Sequence, residues 1–265
     1  MKKDVFKLVV IGVMLFCAGL ALKSIGIAES AAEAAPEDAG HMTFMTDDGL
    51  TLHAWLSPAA TDSKTENLPG LALLLPMLSN THESFDPIIK QLNDIGYTTV
   101  AFDLRGHGLS TQVGKKAISY AEMNENQFGK IPSDVEQFLR DFKTNHPGVY
   151  DYNDVVVIGA SIGANTAGLL LSNDWAARAV LLSPGRNYRG LRPEMSLAAK
   201  TSLTKPLYIA VSDSDTYSAE SSQWLFDNYT GPKTFKTYPG KNHGTDILDN
   251  IPDAANELLE WLQAR

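Results

Sequence analysis

Val155-Val156-Val157-Ile158-Gly159-Ala160-Ser161-Ile162-Gly163-Ala164 runs from an unbroken apolar segment to a serine between two glycines and then into helix formers reaching Leu171. Four apolar residues ahead of a glycine suit a buried strand, and residues 164–171 suit a helix, so the stretch predicts strand, sharp turn, helix. A serine at the tip of such a turn sits on strained backbone. Its neighbours have no room for bulky Cβ substituents, which gives the two glycines a steric reason. The hydroxyl is thereby presented as a nucleophile.

A serine hydroxyl needs a base to take its proton and an acid to orient that base. In the chain order that suits a strand-turn-helix serine, acid and histidine both follow the nucleophile. His41, His53, His82, His107 and His146 all precede Ser161. That leaves His243, in the loop Gly240-Lys241-Asn242-His243-Gly244 after the strand-like segment 234–238. The acid belongs at the end of another strand, where a loop on the carboxyl edge of a parallel sheet can reach across to the imidazole. Asp213 and Asp215 follow the apolar segment 207–211. Asp215 has two more residues of loop with which to turn back toward His243. Asp213 is the alternative, and either could instead cap the helix expected at 219–229.

A third motif, Asp103-Leu104-Arg105-Gly106-His107-Gly108-Leu109-Ser110, follows the strand-like segment 98–102. With it, the chain from about Met42 onward resembles the α/β-hydrolase superfamily, in particular small-lid esterases, dienelactone hydrolases, monoacylglycerol lipases and serine aminopeptidases. The resemblance implies an α/β fold with a mostly parallel eight-stranded sheet, helices on both faces and little or no lid. It also implies that Asp103 and Arg105 order a loop near the active site, so that His107 is not the base. The superfamily's oxyanion hole uses two backbone N–H groups. The first would be that of Ile162. The second would follow the strand 71–75, where many relatives carry His-Gly and this chain reads Pro76-Met77-Leu78-Ser79-Asn80. Leu78 stands just after the missing pair, Met77 is the alternative, and Pro76 has no N–H to offer. Asn80, Thr81 and His82 fit either the wall of an acyl pocket or the capping of a helix.

The rest of the chain reads as one α/β domain. Segments 42–46 and 51–56 flank Asp47-Asp48-Gly49, a hairpin turn signal. Strands are then expected at 71–75, 98–102, 155–158, 179–182, 207–211 and 234–238. Helices are expected at 84–95, 133–145 with Ser133 as N-cap, 164–171, 219–229 and 253–263. Continuous apolar strands between amphipathic helices indicate a parallel sheet covered on both faces. Only about two dozen residues separate the strands 179–182 and 207–211, too few for a large lid. They include Arg186, Tyr188, Arg189 and Arg192, whose guanidinium groups could clamp a substrate carboxylate or lie solvated against the acidic surface. The polar stretch 111–130 is a second candidate cover.

Lys2, Lys3 and Lys7 precede an apolar run at 8–22 and a small-residue stretch at 28–35, the layout of an export signal with Ala32-Glu33-Ala34 as a cleavage site. A retained membrane anchor is the alternative, which would confine membrane contact to this segment. The expected division is therefore a leader over 1–34 and a catalytic domain over 35–265, placing the protein in the periplasm or outside the cell. Cys17, the only cysteine, lies inside the leader after Phe16 rather than a small residue, which argues against lipid attachment. A processed chain would have neither disulfide nor thiol.

Among 265 residues, 44% are hydrophobic and the formal net charge is −9, which suits one large core and argues against nucleic acid as a partner. The sequence has no paired-cysteine or His-x-x-x-His metal spacing. Gly106-His107-Gly108 lacks the third glycine of a dinucleotide loop, and 159–163 lacks the lysine of a phosphate-binding loop. No cofactor is expected. The sequence thus points to an exported serine hydrolase acting on a small-molecule carboxylic ester. The same residues would also serve a serine peptidase or a thioesterase, and the missing His-Gly pair leaves a non-catalytic binding protein as a different class of reading.

Overall fold

The computed structural model describes residues 40–60, 68–199 and 203–264. The expected leader over 1–34, with Cys17, lies outside them. Strands β1 (His41–Met45) and β2 (Leu50–Ser57) form the expected hairpin, and β3 (Gly70–Leu75) leads through α1 (Asp86–Asp94) to β4 (Tyr97–Asp103). Two short strands, β5 (Gln112–Val113) and β6 (Lys116–Ala117), precede α2 (Glu125–Phe128) and α3 (Ile131–Asn145). Next come β7 (Val155–Ala160), α4 (Ile162–Ser172), β8 (Arg178–Leu182), α5 (Pro193–Ala199), β9 (Leu207–Ser212), α6 (Thr216–Asn228) and β10 (Lys233–Tyr238). Helices α7 (Asp246–Asn250) and α8 (Ala254–Gln263) complete the order.

One sheet runs β10-β9-β8-β7-β3-β4-β2-β5-β6, with β1 paired to β2. From β10 to β4 every pairing is parallel; the pairings of β2 with β1, β4 and β5 are antiparallel. Eight of the strands are those expected. The two-residue strands β5 and β6 extend the sheet as a small hairpin off β2.

Both faces of the central strands are buried because residues alternate between two cores. Leu71, Leu73, Leu75, Val155 and Val157 turn toward Val135, Phe138, Leu170 and Leu225 of α3, α4 and α6. Ala72, Leu74, Val156 and Ile158 turn the other way, toward Ile88, Leu92, Leu258 and Leu262 of α1 and α8. Each such leucine, fully removed from water, stabilises the fold by roughly 1.5–3 kcal/mol.

Several boundaries differ from the sequence expectations. Helix α3 starts at Ile131 with a proline in its first turn, and Ser133 Oγ donates to the Lys130 carbonyl at 2.8 Å instead of capping. The stretch 84–95 divides into a 3₁₀ turn at His82–Phe85 and α1. Helix α6 begins three residues before the expected Ala219, at Thr216.

Arg105 fixes the loop after β4. Its Nε and Nη2 donate to Asp134 of α3 at 2.8 and 2.6 Å, and its Nη1 and Nη2 donate to Asp48 of the β1–β2 turn at 3.0 and 2.9 Å. Arg105 holds the Asp48 carboxyl well below the usual carboxylate range. Removal of Arg105 would strand the buried Asp134 carboxyl, at a cost of about 3–5 kcal/mol. His107 is buried in the same loop: its Nδ1 bonds to the Arg105 carbonyl at 2.9 Å and its ring stacks on Tyr120. No described helix is long and apolar enough to cross a membrane.

Candidate active site

Ser161 stands between β7 and α4 with φ +52° and ψ −112°, outside the regions a serine ordinarily occupies and therefore strained. Two close approaches hold it there. A Cβ on Gly159 would strike the Gly163 carbonyl, and a Cβ on Gly163 would strike the Leu75 carbonyl at the end of β3. The second approach matters for the site, because it brings the start of α4, with the Ile162 N–H, beside the loop that follows β3.

Asp215 and His243 come from neighbouring loops beyond β9 and β10. His243 Nδ1 donates to Asp215 Oδ2 at 2.6 Å. The His243 loop is pinned by the Gly244 N–H, which donates to the buried Ser183 Oγ at 3.0 Å. Asp213 is used differently. It accepts from the Gly240 N–H at 3.1 Å and from Ser214 Oγ at 2.9 Å, tying the β9 loop to the β10 loop. Neither aspartate caps α6 through its side chain: Asp215 is the N-cap residue but makes no such bond.

Ser161, His243, Met77, Leu78, Ile162, Tyr188 and Arg189 line one cavity of about 350 Å³. Both candidate oxyanion residues of the β3 loop, Leu78 and Met77, therefore share the cavity with Ser161, as does Ile162. The loop turns sharply there, with the Asn80 N–H bonded to the Met77 carbonyl at 3.1 Å and Ser79 at φ +69°. His107 and the other histidines do not line this cavity. Asn80 and Thr81 are not among its walls either, and His82 is turned away, stacked on Trp55 and bonded to Asp103.

Tyr188 enters the site from the segment after β8. Its hydroxyl bonds to Ser218 Oγ at 2.9 Å, and its ring stands nearly perpendicular to that of His243 with centroids 6.3 Å apart. Burial, aided by the Asp215 charge, pushes the phenol up to about 12, so at neutral pH it is an O–H donor. Asn165, fully buried in α4, holds the segment down: its Oδ1 accepts from the Gly185 N–H at 2.9 Å and its Nδ2 donates to the Leu191 carbonyl at 2.8 Å. Sequence reasoning missed both roles. An asparagine inside the largely apolar 162–171 segment was the available signal for Asn165.

The arginines of this segment make no ion pair with a carboxylate among the described residues. Arg186 lies over the Trp224 ring at 4.5 Å, Arg192 touches the Met195 sulfur, and Arg189 both lies 5.7 Å from the Phe128 ring centre and lines the cavity. The described residues contain no cluster of three or more histidine, cysteine, aspartate or glutamate side chains able to hold a metal ion.

Residues 71–204, from the first central strand through the serine turn to the cover segment, match the family described as serine aminopeptidase, S33. The chain belongs to that family. It is an α/β hydrolase. Solved structures share the hydrolase's fold at low identity. A Pyrococcus furiosus esterase is 21% identical with a TM-score of 0.62, the match covering 84% of this chain and 91% of that one. The Butyrivibrio proteoclasticus protein Est1E with bound ferulic acid is 19% identical with a TM-score of 0.62, over 84% of this chain and 100% of that one. A soluble variant of the Saccharomyces cerevisiae monoglyceride lipase with a substrate analogue is 15% identical with a TM-score of 0.61, over 90% of this chain and 98% of that one. No curated protein matches the hydrolase.

Proposed function

We propose that this hydrolase cleaves carboxylic esters with small or medium acyl groups through an acyl-enzyme on Ser161. His243, oriented by Asp215, takes the Ser161 proton as the oxygen attacks the carbonyl and returns it to the leaving alcohol. The same histidine then activates the water that releases the acid. The backbone N–H groups of Ile162 and Leu78 take the charge that develops on the carbonyl oxygen. The observation that carries this reading is the 2.6 Å bond between His243 and Asp215 on a cavity shared with a serine at φ +52°.

A second reading, aminopeptidase activity, draws on the family's description. Recognition of a free α-ammonium group calls for a carboxylate in the cavity. The lining holds none and presents the Arg189 guanidinium instead, so the ester reading is preferred. The absence of a large cap among described residues 183–199 and 203–206 favours short chains, because nothing there would bury a long acyl tail. The three lysines before the apolar run at 8–22 support export. A panel of chromogenic esters, thioesters and aminoacyl amides tests the assignment. Turnover of short-chain esters above amides and above emulsified long-chain triglyceride is expected; preference for aminoacyl amides or for long-chain fat would reverse it.

A further inference from the structure

Tyr188 and Leu191 close a tight hairpin over the cavity, exchanging backbone hydrogen bonds of 3.2 and 2.9 Å. The two residues at its tip, Arg189 and Gly190, have φ +52° and φ +86°, the pattern of a type I′ turn, whose first position suits asparagine or glycine. Arginine there is in a left-handed conformation unfavourable for any L side chain with no local hydrogen bond to offset it. Its reward is placement, because the turn sets the Arg189 side chain on the wall of the cavity that holds Ser161 and His243.

In a protein of net charge −9, a guanidinium would readily find a carboxylate. Arg189 forms no ion pair with one among the described residues; Glu125, whose side chain packs beneath Gly190, does not bond it. The rest of the lining has no competing carboxylate: Met77, Leu78 and Ile162 are apolar, and Tyr188 is a neutral donor. Phe128 supports the guanidinium from one side, which leaves its edge, with several N–H donors in one plane, for a planar anion.

We propose that Arg189 binds a carboxylate carried by the substrate, so that the preferred esters are compact and anionic. This rests on the serine-hydrolase reading of the same site. The carboxylate belongs to the acyl part or to the leaving group, and two matched pairs of esters separate these sources: monomethyl glutarate against its neutral monoamide, and 4-acetoxybenzoate against 4-acetoxybenzamide.

The anionic member of one pair should be cleaved with a kcat/KM about tenfold above its neutral partner, the size of one charge-assisted hydrogen bond near the surface. Arg189→Asn should erase that preference, lowering kcat/KM for the anionic ester about tenfold more than for its neutral partner, and raise the melting temperature, because asparagine tolerates the turn better. The opposite movement of specificity and stability is what a merely structural arginine would not give. Equal rates within both pairs overturn the inference and leave the hydrolase reading standing. Equal losses on neutral and anionic esters in the variant overturn it as well. If none of the four esters is cleaved, the inference falls, and labelling of Ser161 by a fluorophosphonate then decides whether the hydrolase reading survives.

Discussion

Two histidines in this fold face an aspartate through Nδ1, His243 with Asp215 at 2.6 Å and His82 with Asp103 at 2.9 Å, yet their surroundings differ throughout. The Asp103 carboxylate is spent on the backbone: besides the imidazole it accepts the N–H of His82 at 3.0 Å and that of Leu109 at 2.7 Å. The His82 ring lies flat on Trp55, centroids 3.4 Å apart. That pair locks the loop after β4 to the 3₁₀ turn before α1. His243 instead stands nearly perpendicular to the Tyr188 ring and lines a cavity with a strained serine. A histidine–aspartate bond alone therefore says little about catalysis. What distinguishes the pairs is that His243 shares its cavity with a serine held at φ +52° on a strand-to-helix turn.

Substitutions should separate the two pairs sharply. Ser161→Ala and His243→Ala should each lower kcat by several orders of magnitude without adding when combined, because the groups serve one step. His82→Ala should keep most of the turnover and lose thermal stability, as followed by steady-state kinetics and a melt. Asp215→Asn should cost about 10⁴ in turnover, as the equivalent change does in a serine protease. Asp213→Asn, which loosens the tie to Gly240, should remain active and melt a few degrees lower, on the order of 1 kcal/mol. Tyr188→Phe keeps the ring beside His243 and removes only the hydroxyl bonded to Ser218, so kcat should stay within a few-fold and the melting temperature should fall by the equivalent of about 1 kcal/mol.

The smallest effect concerns pH. Burial alone would raise the Asp103 carboxyl, but the His82 side chain and the N–H groups of His82 and Leu109 outweigh it and hold the group below its ordinary value. A carboxylate depressed in the folded state stabilises the fold above its unfolded value, near 4, and that contribution fades as the pH falls through the lower folded value. The melting-temperature gap between the wild type and Asp103→Asn should thus be full at pH 7 and close progressively below about pH 4. A gap that widened toward low pH would mean that Asp103 is not held as an anion.

Most of the fold was legible because its strands are buried on both faces and so read as unbroken apolar runs, as at 71–75 and 155–158. Residues brought together over long distances, Ser161, Asp215 and His243, were also nameable, since chain order and strand ends restrict the choices. Contacts made by irregular backbone were not. The Tyr188 hairpin turns on Arg-Gly rather than Asn-Gly, so nothing local announced it, and its position depends on Asn165 bonds made across the fold. The start of α3 was misjudged because a serine beside a proline resembles a cap, whereas the proline itself occupies the first turn. Helix α7, five residues long, is too short to leave a periodic pattern.

The central claim is that Ser161 is a nucleophile made reactive by His243. Its most direct test is to expose the purified protein, His243→Ala and His82→Ala to a fluorophosphonate and to map the modified residue by mass spectrometry. Stoichiometric modification of Ser161 in the wild type and in His82→Ala, with little in His243→Ala, is the predicted result. An unmodified Ser161 in the folded wild type, or modification that depends on His82 and not on His243, would contradict it.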